Sequence, residues 1–169
     1  MLLHCLFVVV VSCHLPPHAD KTQIYGSCLP TDKLQRLLNA AARLIIATRK
    51  FDHGLSLLLH DELHWLDIPE LVHYKLGVTV HRCLHDKAPK YLVNCCTPVS
   101  DIASRRHLSS ASRHHLTVPR HRLSTFGRRA FSVAGPTVWN SLQDSLRDPA
   151  LKSDRFRQLL KTNLFRRYH

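Results

Sequence analysis

The chain has 169 residues, 44% of them hydrophobic, and a mean hydropathy of −0.15, enough for one domain with a real core and too polar overall for a membrane protein. Five glycines and nine prolines exclude collagen-like and low-complexity classes. The formal net charge of +12 is uneven: residues 102–169 hold 14 Arg and Lys against three acids, whereas residues 1–101 hold 10 against nine.

Leu2–Val11 is a short apolar run, below the ~20 residues needed to span a bilayer. It reads as a signal-peptide core with cleavage after Cys13, although no Lys or Arg precedes it. The alternatives are a buried strand or upstream sequence without its partners. Cleavage would leave four cysteines of six, and hence three possible pairings of two disulfides. Without secretion the thiols are most simply small buried hydrophobes. Neighbours such as Cys95 and Cys96 rarely bond to each other.

Residues 14–30 read as a loop. Asp32 with Gln35 predicts a capped helix whose face is Leu34, Leu37, Leu38, Ala41, Leu44 and Ile45, ending near Thr48–Lys50. A shorter helix is expected over Leu55–Leu63, with Trp65 and Leu66 as core anchors after it. Asp67 and Glu70 make a second cap pattern, with Pro69 in the first turn. The helix over 68–85 should bury Leu71, Val72, Leu76, Val80, Cys83 and Leu84. Gly77 inside it costs ~1 kcal/mol relative to Ala, unless a neighbour packs closely there. A further short helix is expected from Pro89 to Cys96.

Over 98–125 the periodicity fades, which predicts a basic, extended or poorly ordered connector with a brief edge strand at Leu116–Pro119. Helical character returns over Phe126–Ala134 and should stop at Gly135-Pro136, with Val138, Trp139 and Leu142 buried beyond it. A last helix over 151–166 should turn Phe156, Leu159, Leu160 and Leu164 inward, leaving Arg155, Arg157, Lys161, Arg166 and Arg167 outside or at its end. The expected fold is mainly α: a small helical bundle, the connector, and a C-terminal helical segment. The organisation is an apolar segment and loop (1–23), a helical region (24–97), the connector (98–125) and a basic helical region (126–169).

Catalytic signatures are sparse. The chain has no Walker-type loop, no G-x-G-x-x-G and no G-x-S-x-G. Its only adjacent acids are Asp61 and Glu62, whereas a two-metal site needs clustered carboxylates. His60-Asp61-Glu62-Leu63-His64 resembles a zinc protease motif, but its Glu is one position late. Two exposed or half-buried histidines are the plainer reading. Cys83, His85, Cys95 and Cys96 gather four soft ligands in 14 residues, with a spacing that fits no common zinc module. Core packing accounts for Cys83 more simply. No metal and no cofactor is expected, and no small-molecule substrate.

The informative cluster is basic. No carboxylate lies between Asp101 and Asp144, while Arg105, Arg106, Arg113, Arg120, Arg122, Arg128 and Arg129 all do. A charge run is ordinarily a solvated face. Missing counter-ions point instead to a polyanion, and the arginine fork suits phosphate. The 14 histidines would add charge below about pH 6.5.

An ordered series of motifs then carries a resemblance. It comprises Ile24-Tyr25-Gly26, Lys33–Leu44, Leu63-His64-Trp65-Leu66, Tyr74-Lys75-Leu76, Leu84–Leu92, Val118-Pro119-Arg120, Phe126–Leu142 and Phe156–Phe165. It resembles the region downstream of the palm in reverse transcriptases of non-LTR (LINE-type, Jockey-like) retrotransposons, over about residues 24–166. The resemblance implies a thumb and C-terminal region that grips template RNA and the primer–template duplex. It also implies that fingers, palm and magnesium-holding aspartates would lie upstream of Ile24, where only 23 residues stand. No catalytic residue can be carried over. The apolar start departs from the family and suggests a truncated or spliced copy.

The expected function is therefore a non-catalytic fragment of an RNA-directed DNA polymerase that binds RNA or DNA backbone with little sequence preference, in nucleus or cytoplasm. The alternatives are a secreted basic protein binding acidic glycans, if residues 1–13 act as a signal, and a decayed element copy with no selected function. An autonomous enzyme is disfavoured. No stable membrane span is expected, and the sequence leaves the oligomeric state open.

Overall fold

The computed structural model describes residues 31–47, 54–120, 130–166 and 168. Within them the protein is mainly helical, a small bundle with no extended pairing beyond one isolated bridge. The apolar run 2–11 and the pattern over Phe126–Arg129 lie outside the described residues, as do the C-terminal Arg167 and the expected helix end at Thr48–Lys50.

Helix α1 (Thr31–Ile46) stops at Ala47, whose φ of 54° is left-handed. Asp32 lies within its first turn rather than ahead of it. Gln35, expected to close a capping box with Asp32, serves another helix. Its Nε2 donates to Asp67 Oδ1 at 2.7 Å, and its Oε1 accepts the Ile68 N–H at 2.8 Å. The buried side is rotated accordingly. Ala42 is fully buried, whereas Leu37, Leu44 and Ile45, expected inside, are exposed. A capping demand from a neighbouring helix thus outweighs the apolar stripe in orienting α1.

The expected helix over Leu55–Leu63 begins as α2 (Leu55–Leu57) and widens into a π-helical turn over Leu58–Glu62, closed by Leu63 N–H to the Leu58 carbonyl at 3.1 Å. Leu66 is buried and Trp65 only half-buried.

Helix α3 (Ile68–Leu84) is the central element and packs on α6 (Phe131–Ser141), α7 (Ser153–Phe165) and α1. Asp67 occupies its N-cap position, but no side-chain cap bond runs from Asp67 to the helix. The orphan donors find distant partners: Ile68 N–H goes to Gln35, and Asp67 N–H donates to the Tyr168 hydroxyl at 3.1 Å. Val80 and Cys83 are buried as expected, while Leu71, Val72, Leu76 and Leu84 are half-buried. Ile68, Gly77 and His81 are also buried.

Both central glycines mark close helix crossings. A Cβ on Gly77 would stand 3.0 Å from Leu160 Cδ2; one on Gly135 would stand 3.1 Å from both Val80 Cγ2 and Phe131 Cε2. Gly135-Pro136 does not stop the helix: α6 runs through it to Ser141. Proline removes one intrahelical bond and crowds the preceding Cβ. Gly135 has no Cβ to crowd, and Pro136 is buried in the bundle. Trp139, Phe156, Leu160 and Leu164 complete the core, and α7 follows its expected face closely.

Residues 98–120 correct a second expectation. They are not an extended connector but a chain of turns: α4 (Lys90–Val93) leads through Cys96 into single turns at Val99–Asp101 and Ala103–Arg105, then into α5 (Ser109–Ser112). The brief strand shrinks to one antiparallel bridge between Pro98 and Leu116. Val99, Ala111 and Leu116 are buried. Residues 121–125 lie outside the described residues.

Candidate nucleic-acid interface

Segment 98–120 owes its order to side chains from elsewhere. Asn140, on α6, pairs with Leu116 as a strand would: its Nδ2 donates to the Leu116 carbonyl and its Oδ1 accepts the Leu116 N–H, both at 2.8 Å. Trp139 Nε1 donates to the His114 carbonyl at 3.0 Å. Arg147, only 3% exposed, donates from Nε to the Arg113 carbonyl at 2.9 Å and from Nη1 to the Asn140 carbonyl at 3.0 Å. It also bonds the Leu142 carbonyl and the Asp144 carboxylate. Backbone groups that lack a periodic ladder are satisfied in this way.

The anchored segment presents arginines outward. Arg105, Arg106, Arg113 and Arg120 are all exposed. Arg106 Nε donates to the Ser100 carbonyl at 3.0 Å, which fixes one edge of its guanidinium. Arg113 Nε lies 3.9 Å from Asp144 Oδ2, with both groups more than 60% exposed, so that attraction is largely screened. His107 and His114 are exposed on the same segment. His115 is held below the ordinary histidine range by burial, with Arg147 and Arg113 adding to the effect and Asp144 opposing it. Arg122, Arg128 and Arg129 lie outside the described residues, so four of the seven predicted arginines are placed.

The other candidate motifs are structural. His60 is buried, stacked on Tyr168 with ring centroids 3.7 Å apart, and its Nδ1 lies 2.8 Å from the Trp65 carbonyl. Its Nε2 is 3.6 Å from Asp67 Oδ2. His64 is exposed and faces the His60 carbonyl. Tyr168 is pushed up to about 12, by burial first and then by the Asp67 and Glu70 carboxylates, against the Asp67 N–H bond that lowers it. Among the described residues no three His, Cys, Asp or Glu side chains gather as metal ligands. Also among them, no helix is long and apolar enough to cross a membrane.

Sequence reasoning missed Arg147, Asn140, Gln35 and Tyr168. Arg147 carried one signal: Asp144 three residues before it, in a stretch flanked by Leu142 and Leu146. Gln35 and Tyr168 carried none, because their partners lie 33 and 101 residues away. No known protein family, no characterised protein and no solved structure matches the chain.

Proposed function

We propose that this chain is the thumb and C-terminal region of a Jockey-like retrotransposon polymerase, and that it holds RNA or DNA backbone without joining nucleotides. One observation carries the binding half of the proposal. Arg105, Arg106, Arg113 and Arg120 stand exposed on a segment fixed by Arg147 and Asn140, in a stretch with no carboxylate of its own from residue 102 to residue 143. A fixed backbone presents guanidinium forks at less entropic cost than a floppy tail, and each fork can grip a phosphate in two places. The motif series supports the family half, and the lack of paired aspartates in the 169 residues supports an inert chain.

The test is fluorescence anisotropy with labelled RNA–DNA duplex over a salt series. Binding should weaken steeply between about 50 and about 200 mM salt, with a log–log slope near 0.9 per phosphate neutralised. Replacing Arg105, Arg106, Arg113 and Arg120 by Gln should flatten that slope by roughly 0.9 for each phosphate left without its guanidinium. Salt-independent binding, or an unchanged slope in the variant, refutes the interface. Template-directed DNA synthesis by the isolated chain would refute the claim that it is inert.

A further inference from the structure

Two thiols meet where α3 and α4 join. Cys83 lies in the last turn of α3, Cys96 ends the turn after α4, and both are buried in one apolar cluster with Leu92. A side-chain hydrogen bond links them. Both also line a surface cavity of about 520 Å³, whose walls include Leu84, Val93, Asp86 and Asp101. Cys95 is half-buried, and its thiol donates to the Tyr91 carbonyl at 3.3 Å.

A buried cysteine is ordinarily an inert small hydrophobe. Cys83 departs from that pattern. The hydrogen bond from Cys96 holds its thiol below the usual range, and Arg82 acts in the same direction, while burial opposes them. Cys96, which gives that bond, is pushed strongly up, with burial adding to the effect. One sulfur is thus disposed to attack and its neighbour keeps the proton, as in an attacking and a resolving thiol.

We propose that Cys83 and Cys96 form a dithiol site that a small-molecule disulfide oxidises through the cavity, closing a bond that ties α4 to α3. In the first step the Cys83 thiolate attacks one sulfur of the small disulfide. Its S–S bond breaks, one small thiolate leaves and takes a proton from water, and a mixed disulfide remains on Cys83. Cys96 then loses its proton to water, and its sulfur attacks the Cys83 sulfur, expelling the second small thiolate. The protein dithiol has lost two electrons and two protons, and the small disulfide has become two thiols. The bridge closes a 14-residue loop containing α4, which restricts the unfolded chain.

The experiment uses the full chain, native, treated with oxidised glutathione. Free thiols are alkylated, and the protein is digested with trypsin and analysed by mass spectrometry. Three proteins are compared: wild type, Cys95→Ser, and Cys95→Ser combined with Cys96→Ala. The expected product joins the peptide Cys83–Lys87 to the peptide Tyr91–Arg105 in wild type and in Cys95→Ser, and is lost in the double variant. Oxidised Cys95→Ser should melt several degrees above its reduced form. Because Cys95→Ser retains both proposed thiols, it answers the question even if the double variant misfolds. The proposal is overturned if Cys95→Ser yields no such link. It is equally overturned if Cys83 pairs instead with Cys5, Cys13 or Cys28, or if oxidation leaves the melting temperature of Cys95→Ser unchanged.

Discussion

The α3–α6–α7 core and segment 98–120 are held by opposite means. The core buries Val80, Trp139, Phe156, Leu160 and Leu164 at helical spacing, with glycines at two close crossings. The segment buries Val99, Ala111 and Leu116, and is fastened by polar groups reaching from α6 and the turn beyond it. Apolar periodicity therefore marks only one of two routes to order. A stretch without it becomes structured when neighbours supply hydrogen bonds to its backbone. The same residue type serves both ends: Arg147 is buried as a fastener, while Arg105 and Arg113 are displayed.

The sharpest way to break this contrast is Arg147→Ala. It would strand the Arg113, Asn140 and Leu142 carbonyls and leave a void. Removing one partner from a buried, charged hydrogen-bond network costs about 3–5 kcal/mol. Urea denaturation should register that loss, and amide exchange should speed up over 98–120 before it does in α3. Arg147→Lys should recover little, since an ammonium cannot reach carbonyls on several sides at once.

Gly135→Ala probes the core side. The new Cβ meets Val80 and the Phe131 ring, and it precedes a proline. Helix propensity gains at most ~1 kcal/mol, against about 1–3 for overpacking, so a net loss of roughly 1–2 kcal/mol is expected in thermal unfolding. Gly77→Ala should cost less, because its single close contact is the end of a flexible leucine.

These sites show how far the sequence was legible. Helices α3 and α7 were readable because packing decides them, and packing leaves a 3.6-residue signature. Gly77 carried its own condition, a close neighbour, and Leu160 meets it. Gly135-Pro136 misled because local rules describe an isolated helix, whereas a buried crossing tolerates the missing bond. The face of α1 was misread for a related reason: Gln35 answers to Asp67 and Ile68, which no local pattern reveals. For the candidate site, the arginine positions and their lack of acids were legible. The scaffold displaying them was not, because Asn140 and Trp139 look like ordinary helix residues.

A milder test titrates the core alone. His81 is buried between His85 and Phe156, with ring centroids 4.2 and 4.3 Å away, and its Nε2 lies 3.1 Å from the Leu151 carbonyl. Burial holds it below its ordinary value of 6.5. The Leu151 bond opposes that shift, and His85, Lys87 and Arg157 reinforce it. The unfolded chain therefore binds this proton more readily than the folded one. The stability is complete above about pH 6.5 and is lost as pH falls from there through the lower folded value. Melting temperatures of wild type should decline over that window. His81→Gln should flatten the decline while leaving segment 98–120 unaffected.

The smallest expected effect is the most discriminating. Exposed substitutions away from caps and buried networks change stability by about 0.5 kcal/mol or less. Arg105 and Arg120 fit that description, and the Arg113–Asp144 approach of 3.9 Å is screened. Arg106 has one bond to the Ser100 carbonyl, at an exposed site where water can replace it. Replacing all four by Gln should therefore leave the denaturation midpoint nearly where it was, even though polyanion binding weakens. Removing like charges from one segment should, if anything, raise the midpoint slightly in low salt. A drop comparable to that of Arg147→Ala would mean that these arginines are fasteners too. Displayed and buried guanidinium groups would then be one structural network, and the segment would have no charge to spare for a phosphate backbone.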